Sequence, residues 1–276
     1  MSPNPDQTLP PWHGFERVSF EVRGHQAWIA LPRHPAPGNP WLWCLEFPEA
    51  FDDRTGAVPL CESGVAYAHV VVGNTYGCPD AQETFDAFHA EMVRRGYARK
   101  AALLGLSRGG LYAYRFAARR PECVACLYGD APVCDFRSWP GGFGTGKGSP
   151  DDWASLKNLY GFANDLEAFR YDRLPIDALE PIARAGIPIL HVVGETDHVV
   201  PVSENTNVLV PRYRALGGSI EVYRKVPASG VEGSEEIPDA ADPHVLHVAP
   251  AGCDHHPHGL SDPSPQVAFI RRALGV

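Results

Sequence analysis

Residues 105–110 read Gly-Leu-Ser-Arg-Gly-Gly, entered by the apolar run AALL and followed at once by a helical pattern, LYAYRFAARR. A serine hydroxyl becomes a useful nucleophile only when a base removes its proton, and that base needs an acid to orient it. The chain supplies the three kinds of group in the order serine, carboxylate, imidazole. Ser107 is followed by Asp197 in GETDHVVP, and then by His255, His256 and His258 in AGCDHHPHGL. The chemistry such a set performs is acyl transfer, with Ser107 attacking a carbonyl, a histidine carrying the proton and Asp197 fixing the imidazole.

The glycines give the serine its meaning. A nucleophile placed on a sharp strand-to-helix turn takes a strained backbone conformation, which leaves no room for side chains two residues to either side. Gly105 and Gly109 supply that room, and Gly110 lets the helix pack close to neighbouring strands. The turn presents Ser107 at a helix N-terminus, whose dipole favours developing negative charge. The competing reading is an ordinary glycine-rich turn.

Each partner has a competitor too. Asp197 sits just past the strand IPILHVVG and also suits a helix N-cap, and Asp130 in YGDAPVCD follows another strand and is the rival acid. His255 is the first choice as base and His256 the second. The H-H-x-H spacing also suits a metal cluster, although no second carboxylate or cysteine set stands at matching spacing. No metal or organic cofactor is expected. His198 reads as pocket lining or surface. Asn74 and Tyr76 in VVGNTYG follow a strand end and are candidate pocket residues. Trp139 is either a platform for a sugar ring or a buried anchor.

These groups need a scaffold, and the chain alternates apolar strand, turn and amphipathic helix. FERVSFEV (15–22) and QAWIALP (26–32) predict an opening hairpin. WLWCLEF (41–47), VAYAHVVVG (65–73), KAALLG, VACLYGD (124–130) and IPILHVVG (187–194) predict buried strands, and IEVYRKV (220–226) a more exposed one. AQETFDAFHAEMVRRG (81–96) places Ala81, Phe85, Phe88 and Met92 on one helical face. QVAFIRRALGV predicts a closing helix. A helix over 203–216 contains Pro211 and is expected to kink or break there. The alternation predicts a mostly parallel sheet flanked by helices in a single domain, 1–276. Two stretches interrupt it: a glycine- and aromatic-rich lid insertion at 136–175, and an acidic, turn-rich loop insertion at 228–243.

The totals narrow the function classes. Of 276 residues, 44% are hydrophobic, enough for one large core, and the net charge of -9 argues against a nucleic-acid surface. No basic run suits an anionic membrane, and no apolar run reaches the ~20 residues of a membrane span. MSPNPDQTLPPWHG lacks the charged start and apolar centre of a signal peptide, so a cytoplasmic protein is expected, with secretion behind a removed leader as the alternative. Seven cysteines are an odd number, and Cys123-x-x-Cys126 lies in an apolar run, so buried reduced thiols are favoured over a disulfide frame or a zinc site.

GLSRGG, GDAPVCDFRSWP, GETDHVVPVSEN and HHPHGLSDPSPQVAFI together resemble the α/β-hydrolase superfamily. The likeness runs from about residue 15 to the C-terminus, and is nearest to a bacterial branch close to the prolyl-oligopeptidase and acetyl-xylan-esterase types. It implies that the family's serine, acid and histidine fall on Ser107, Asp197 and His255. It also implies an oxyanion hole from the backbone N–H of Arg108 and a second N–H near Leu45 or Glu46. The H-G-G-G of common lipases is missing there, which leaves the second donor open. Over G-L-S-R-G-G the chain is also similar to glucuronoyl esterases, whose arginine follows the nucleophile. Arg108 is therefore a binder of a substrate carboxylate, a group that steadies the oxyanion, or half of a structural ion pair.

The expected activity is hydrolysis of a carboxylic ester, with acyl or uronate esters of carbohydrates as the suggested substrates. A peptidase, amidase or lactonase uses the same triad, and a non-catalytic binding protein on the same fold is the rival from another class. The oligomeric state is not legible.

Overall fold

The computed structural model describes residues 7–276. Residues 1–6, the start of the segment read as carrying no leader, lie outside the described residues. The strands are β1 (Gln7–Trp12), β2 (Phe15–Val22), β3 (His25–Ala30), β4 (Trp41–Cys44), β5 (Ala66–Val70), β6 (Ala101–Leu106), β7 (Val124–Asp130), β8 (Ile189–Gly194), β9 (Ile220–Pro227), β10 (Glu236–Pro238) and β11 (Val245–Val248). They form one sheet in the order β1-β2-β3-β5-β4-β6-β7-β8-β9-β11-β10. From β5 to β11 along that order every pairing is parallel, while β1, β2 and β3 at one end and β10 at the other pair antiparallel.

Strand alternation sends successive side chains to opposite faces, and both faces here are covered. Trp41, Trp43, Ala101 and Leu103 face one core with Phe85, Phe88 and Met92 of the helix Pro79–Arg94, while Leu42, Cys44, Ala102 and Leu104 face a second core with Leu60, Phe269 and Ile270. Burying each of these large side chains stabilises the fold by about 1.5–3 kcal/mol. That is why the central strands read as unbroken apolar runs.

The opening hairpin, the central strands and the helix Ser264–Leu274 fall where the sequence places them, with ends displaced by a few residues. Two expectations need correction. The helix Thr206–Ala215 runs through Pro211; Pro211 and Asn207, whose carbonyl loses its partner, are both exposed, so water can satisfy the freed group. Residues 228–243 are more than a loop. They hold β10, and Glu236 accepts hydrogen bonds from Arg54 Nη2 at 2.7 Å and from the Ser261 N–H at 2.9 Å. β11 then follows in parallel beside β9. The lid region folds into the helices Pro150–Tyr160 and Asp165–Phe169, with an aromatic cluster of Phe136, Trp153, Tyr160, Phe162 and Tyr171 beneath them.

All seven cysteines are free and buried, Cys123 and Cys126 included, and burial pushes the thiols of Cys44 and Cys61 up to about 12. No helix among the described residues is long and apolar enough to cross a membrane.

Two buried strand histidines make stability depend on acid. His69 in β5 and His191 in β8 are desolvated, which lowers them to about 4 and about 3. His191 lies within hydrogen-bonding distance of Tyr114 Oη (2.7 Å) and Thr206 Oγ1 (3.0 Å). Both stay neutral in the fold, whereas the unfolded chain protonates near pH 6.5, so stability is full above that and falls toward pH 4. Each group withdraws on the order of 3 kcal/mol across that window. Urea midpoints at pH 7, 5.5 and 4.5 should fall steadily; equal midpoints would contradict the neutral burial.

Candidate active site

Ser107 lies between β6 and the helix Gly109–Arg119, in the left-handed region at φ 50°. Three hydrogen bonds hold it there: its N–H donates to Asp130 O (2.9 Å), and its carbonyl accepts from Val133 N–H (2.8 Å) and Gly110 N–H (3.0 Å). A Cβ on Gly105 would stand 2.8 Å from Gly109 O, and one on Gly110 would stand 2.7 Å from Val133 O. The glycines therefore permit the turn by close approach, and the turn imposes the strain on Ser107.

Asp197 follows β8. Its Oδ1 accepts from the N–H groups of Val199 (2.9 Å) and Val200 (2.7 Å), which leaves Oδ2 for His255 Nδ1 at 2.8 Å. His255 Nε2 stands 2.9 Å from Ser107 Oγ. With Nδ1 donating to the carboxylate, Nε2 accepts from the serine hydroxyl, which is the tautomer a general base needs. His255 is 7% exposed and Asp197 5%. The two loops meet closely because Gly194 ends β8: a Cβ there would stand 2.1 Å from Cys253 O.

Asp130, the rival acid, serves another imidazole. It accepts from His258 Nδ1 at 2.8 Å, from the Gly259 N–H at 2.8 Å and from the Tyr128 hydroxyl. Burial alone would raise this carboxyl, but the bonds and charge of His258, together with Lys225 and Tyr128, bring it below its ordinary range. Lys225 is itself lowered by burial, and its Nζ donates to Pro257 O at 2.5 Å.

His256 is exposed and is not bonded to Ser107; its ring stacks on Phe51 at 5.6 Å. Burial and then the neighbouring imidazoles of His258 and His255 lower it. His198, with its side chain 79% exposed, lies 3.5 Å from Asp254 at the surface.

Arg108 is half of an ion pair. Its Nε and Nη2 donate to Glu46 Oε1 at 3.0 and 2.7 Å, Nη2 also reaches Asn74 Oδ1 at 2.5 Å, and the guanidinium lies over Phe47. Burial raises the Glu46 carboxyl against the pull of Arg108. Among the described residues, the backbone N–H groups of Arg108 and Glu46 donate to nothing. The Leu45 N–H is spent on Leu104 O at 3.0 Å, so of the two positions expected to offer a second oxyanion donor, Leu45 is ruled out.

Two expected pocket residues turn inward. Tyr76 is 1% exposed and its hydroxyl donates to Asp152. Trp139 is half-buried against the core, its ring 6.3 Å from Tyr76. Sequence reasoning missed the Asp130–His258 pair as a unit, and it missed Phe51 and Arg54. Arg54 Nε donates to His258 O at 2.9 Å and braces the histidine loop from a short helix. Only the three closely spaced histidines and the carboxylate at the end of β7 signalled any of this.

The chain matches no protein-family model and no curated protein sequence. Its fold is similar to that of puromycin hydrolase (17% identity, TM-score 0.58, covering 99% of this chain and 39% of that one). It is also similar to the dipeptidyl peptidase 4 of Porphyromonas gingivalis (16%, 0.56, 80% and 32%). A membrane phospholipase A described as a bacterial virulence factor is a further likeness (17%, 0.52, 95% and 86%). The chain thus spans about two fifths of the first protein's chain, a third of the second's and most of the third's. The likeness shows the fold: this is an α/β-hydrolase fold with a mostly parallel sheet flanked by helices.

Proposed function

We propose that the protein is a serine hydrolase that cleaves carboxylic esters through an acyl-enzyme. The observation that carries this is the continuous relay from Ser107 Oγ through His255 to the buried Asp197, with links of 2.9 and 2.8 Å. Ser107 attacks the carbonyl carbon and His255 Nε2 takes its proton. The oxyanion is met by the free N–H groups of Arg108 and Glu46, at the start of the helix Gly109–Arg119. His255 returns the proton to the leaving alcohol, and water then releases the acid by the same steps reversed. The proposal involves no metal or organic cofactor.

The site favours an uncharged substrate over one that carries a free carboxylate. The charge of Arg108 is already balanced by Glu46, so a substrate carboxylate would have to displace that contact. Acyl or uronate esters of carbohydrates, both uncharged before cleavage, remain the proposed class. An amide or peptide substrate is the second reading, because two of the similar folds carry the names dipeptidyl peptidase and acylaminoacyl peptidase. A panel of p-nitrophenyl acetate, an acetylated sugar, a methyl uronate and aminoacyl anilides separates these readings. Faster turnover of the acetyl esters is expected; turnover of the anilides alone would replace the ester reading with the peptidase one.

A further inference from the structure

The ring centroids of His255, His256 and His258 are 4.9, 5.0 and 4.9 Å apart, and the ring planes are turned 69°, 77° and 87° to one another. One nitrogen of each ring lies within 4.8 Å of the other two. His256 closes the triangle on the solvent side, while the other two rings are buried.

Two further features favour a ligand set over chance crowding. His255 and His258 each bind a buried carboxylate through Nδ1 at 2.8 Å, which leaves Nε2 as the lone-pair nitrogen and fixes the ring's orientation. His258 Nε2 has no hydrogen-bond partner among the described residues. The rings are also held in place: Phe51 stacks on His256 and meets His258 edge-on, and Lys225 and Arg54 pin the loop backbone through Pro257 O and His258 O. Three imidazoles around a tetrahedral ion, each nitrogen about 2 Å from it, have ring centres about 5 Å apart.

We propose that His255, His256 and His258 form a binding site for a divalent transition ion of the zinc class, and that the ion switches the hydrolase off. It takes the Nε2 lone pair of His255, which otherwise accepts the Ser107 proton, so nucleophile activation and metal binding exclude one another. The binding stands on the imidazole geometry alone; the inhibition rests on the serine-hydrolase reading.

Calorimetric titration of zinc chloride into the full chain tests the site, using wild type, Ser107→Ala and the exposed variant His256→Ala. Wild type and Ser107→Ala should bind one ion per chain, and His256→Ala should bind it at least about tenfold more weakly. Cobalt(II) should give the visible spectrum of a tetrahedral nitrogen site in wild type and lose it in His256→Ala. Absent saturable binding, or binding that His256→Ala leaves unchanged, would overturn the site. Fluorophosphonate labelling with and without zinc reads the consequence. Labelling that saturating zinc leaves unchanged overturns the switch. Labelling that fails even without zinc counts against the hydrolase reading, and calorimetry still decides the site.

Discussion

Alanine at Ser107 lowers turnover of an activated ester by about a million-fold, and adding alanine at His255 lowers it little further. The two side chains act as one unit through the 2.9 Å bond between Oγ and Nε2, so removing either leaves the other idle. What survives is the catalysis that the oxyanion N–H groups and substrate binding provide, about 10³–10⁴-fold over water. Steady-state kinetics of the two single variants and the double variant check this. Losses that multiplied would mean that the two residues act in separate steps.

Asparagine at Asp197 lowers kcat by about 10⁴-fold while leaving the protein folded. Oδ1 is held by the N–H groups of Val199 and Val200, so the amide oxygen of an asparagine can take that place. Its NH₂ then faces His255 Nδ1 and drives the imidazole into the tautomer that cannot accept from Ser107. Asp130→Asn behaves differently, because its partner is His258 and its setting is fully buried beside Lys225. Breaking that group costs about 3 kcal/mol of stability, read as a lower denaturant midpoint, with a far smaller effect on kcat. If Asp130→Asn lost the activity and Asp197→Asn kept it, the two carboxylates would have to exchange roles.

Much of this arrangement was legible in the chain. The apolar runs of β4 to β8 could be read because both faces of a parallel sheet are buried. The elbow could be read because only glycines tolerate the approach of Gly109 O and Val133 O. Ser107, Asp197 and His255, met in that order along the chain, form one relay, with His255 within hydrogen-bonding distance of each of the other two. What stayed hidden depends on where elements from distant parts of the sequence meet. The choice between His255 and His256 turns on which ring reaches Ser107 across 148 positions, and no local spacing encodes that. Tyr76 reads as a pocket residue because it follows a strand end, but Asp152 of the lid region takes its hydroxyl inward. The acidic stretch 228–243 reads as a loop because β10 is only three residues long and is held by β11 and Arg54, neither of them a local signal.

Fluorophosphonate labelling read by mass spectrometry tests the central claim most directly. A probe of this class phosphonylates a serine only when a base has activated it. On metal-free wild type the tag should fall on the peptide holding Ser107 and be absent from Ser107→Ala. Folded wild type that carries no tag, or a tag that persists in Ser107→Ala, would contradict the assignment of Ser107 as the nucleophile.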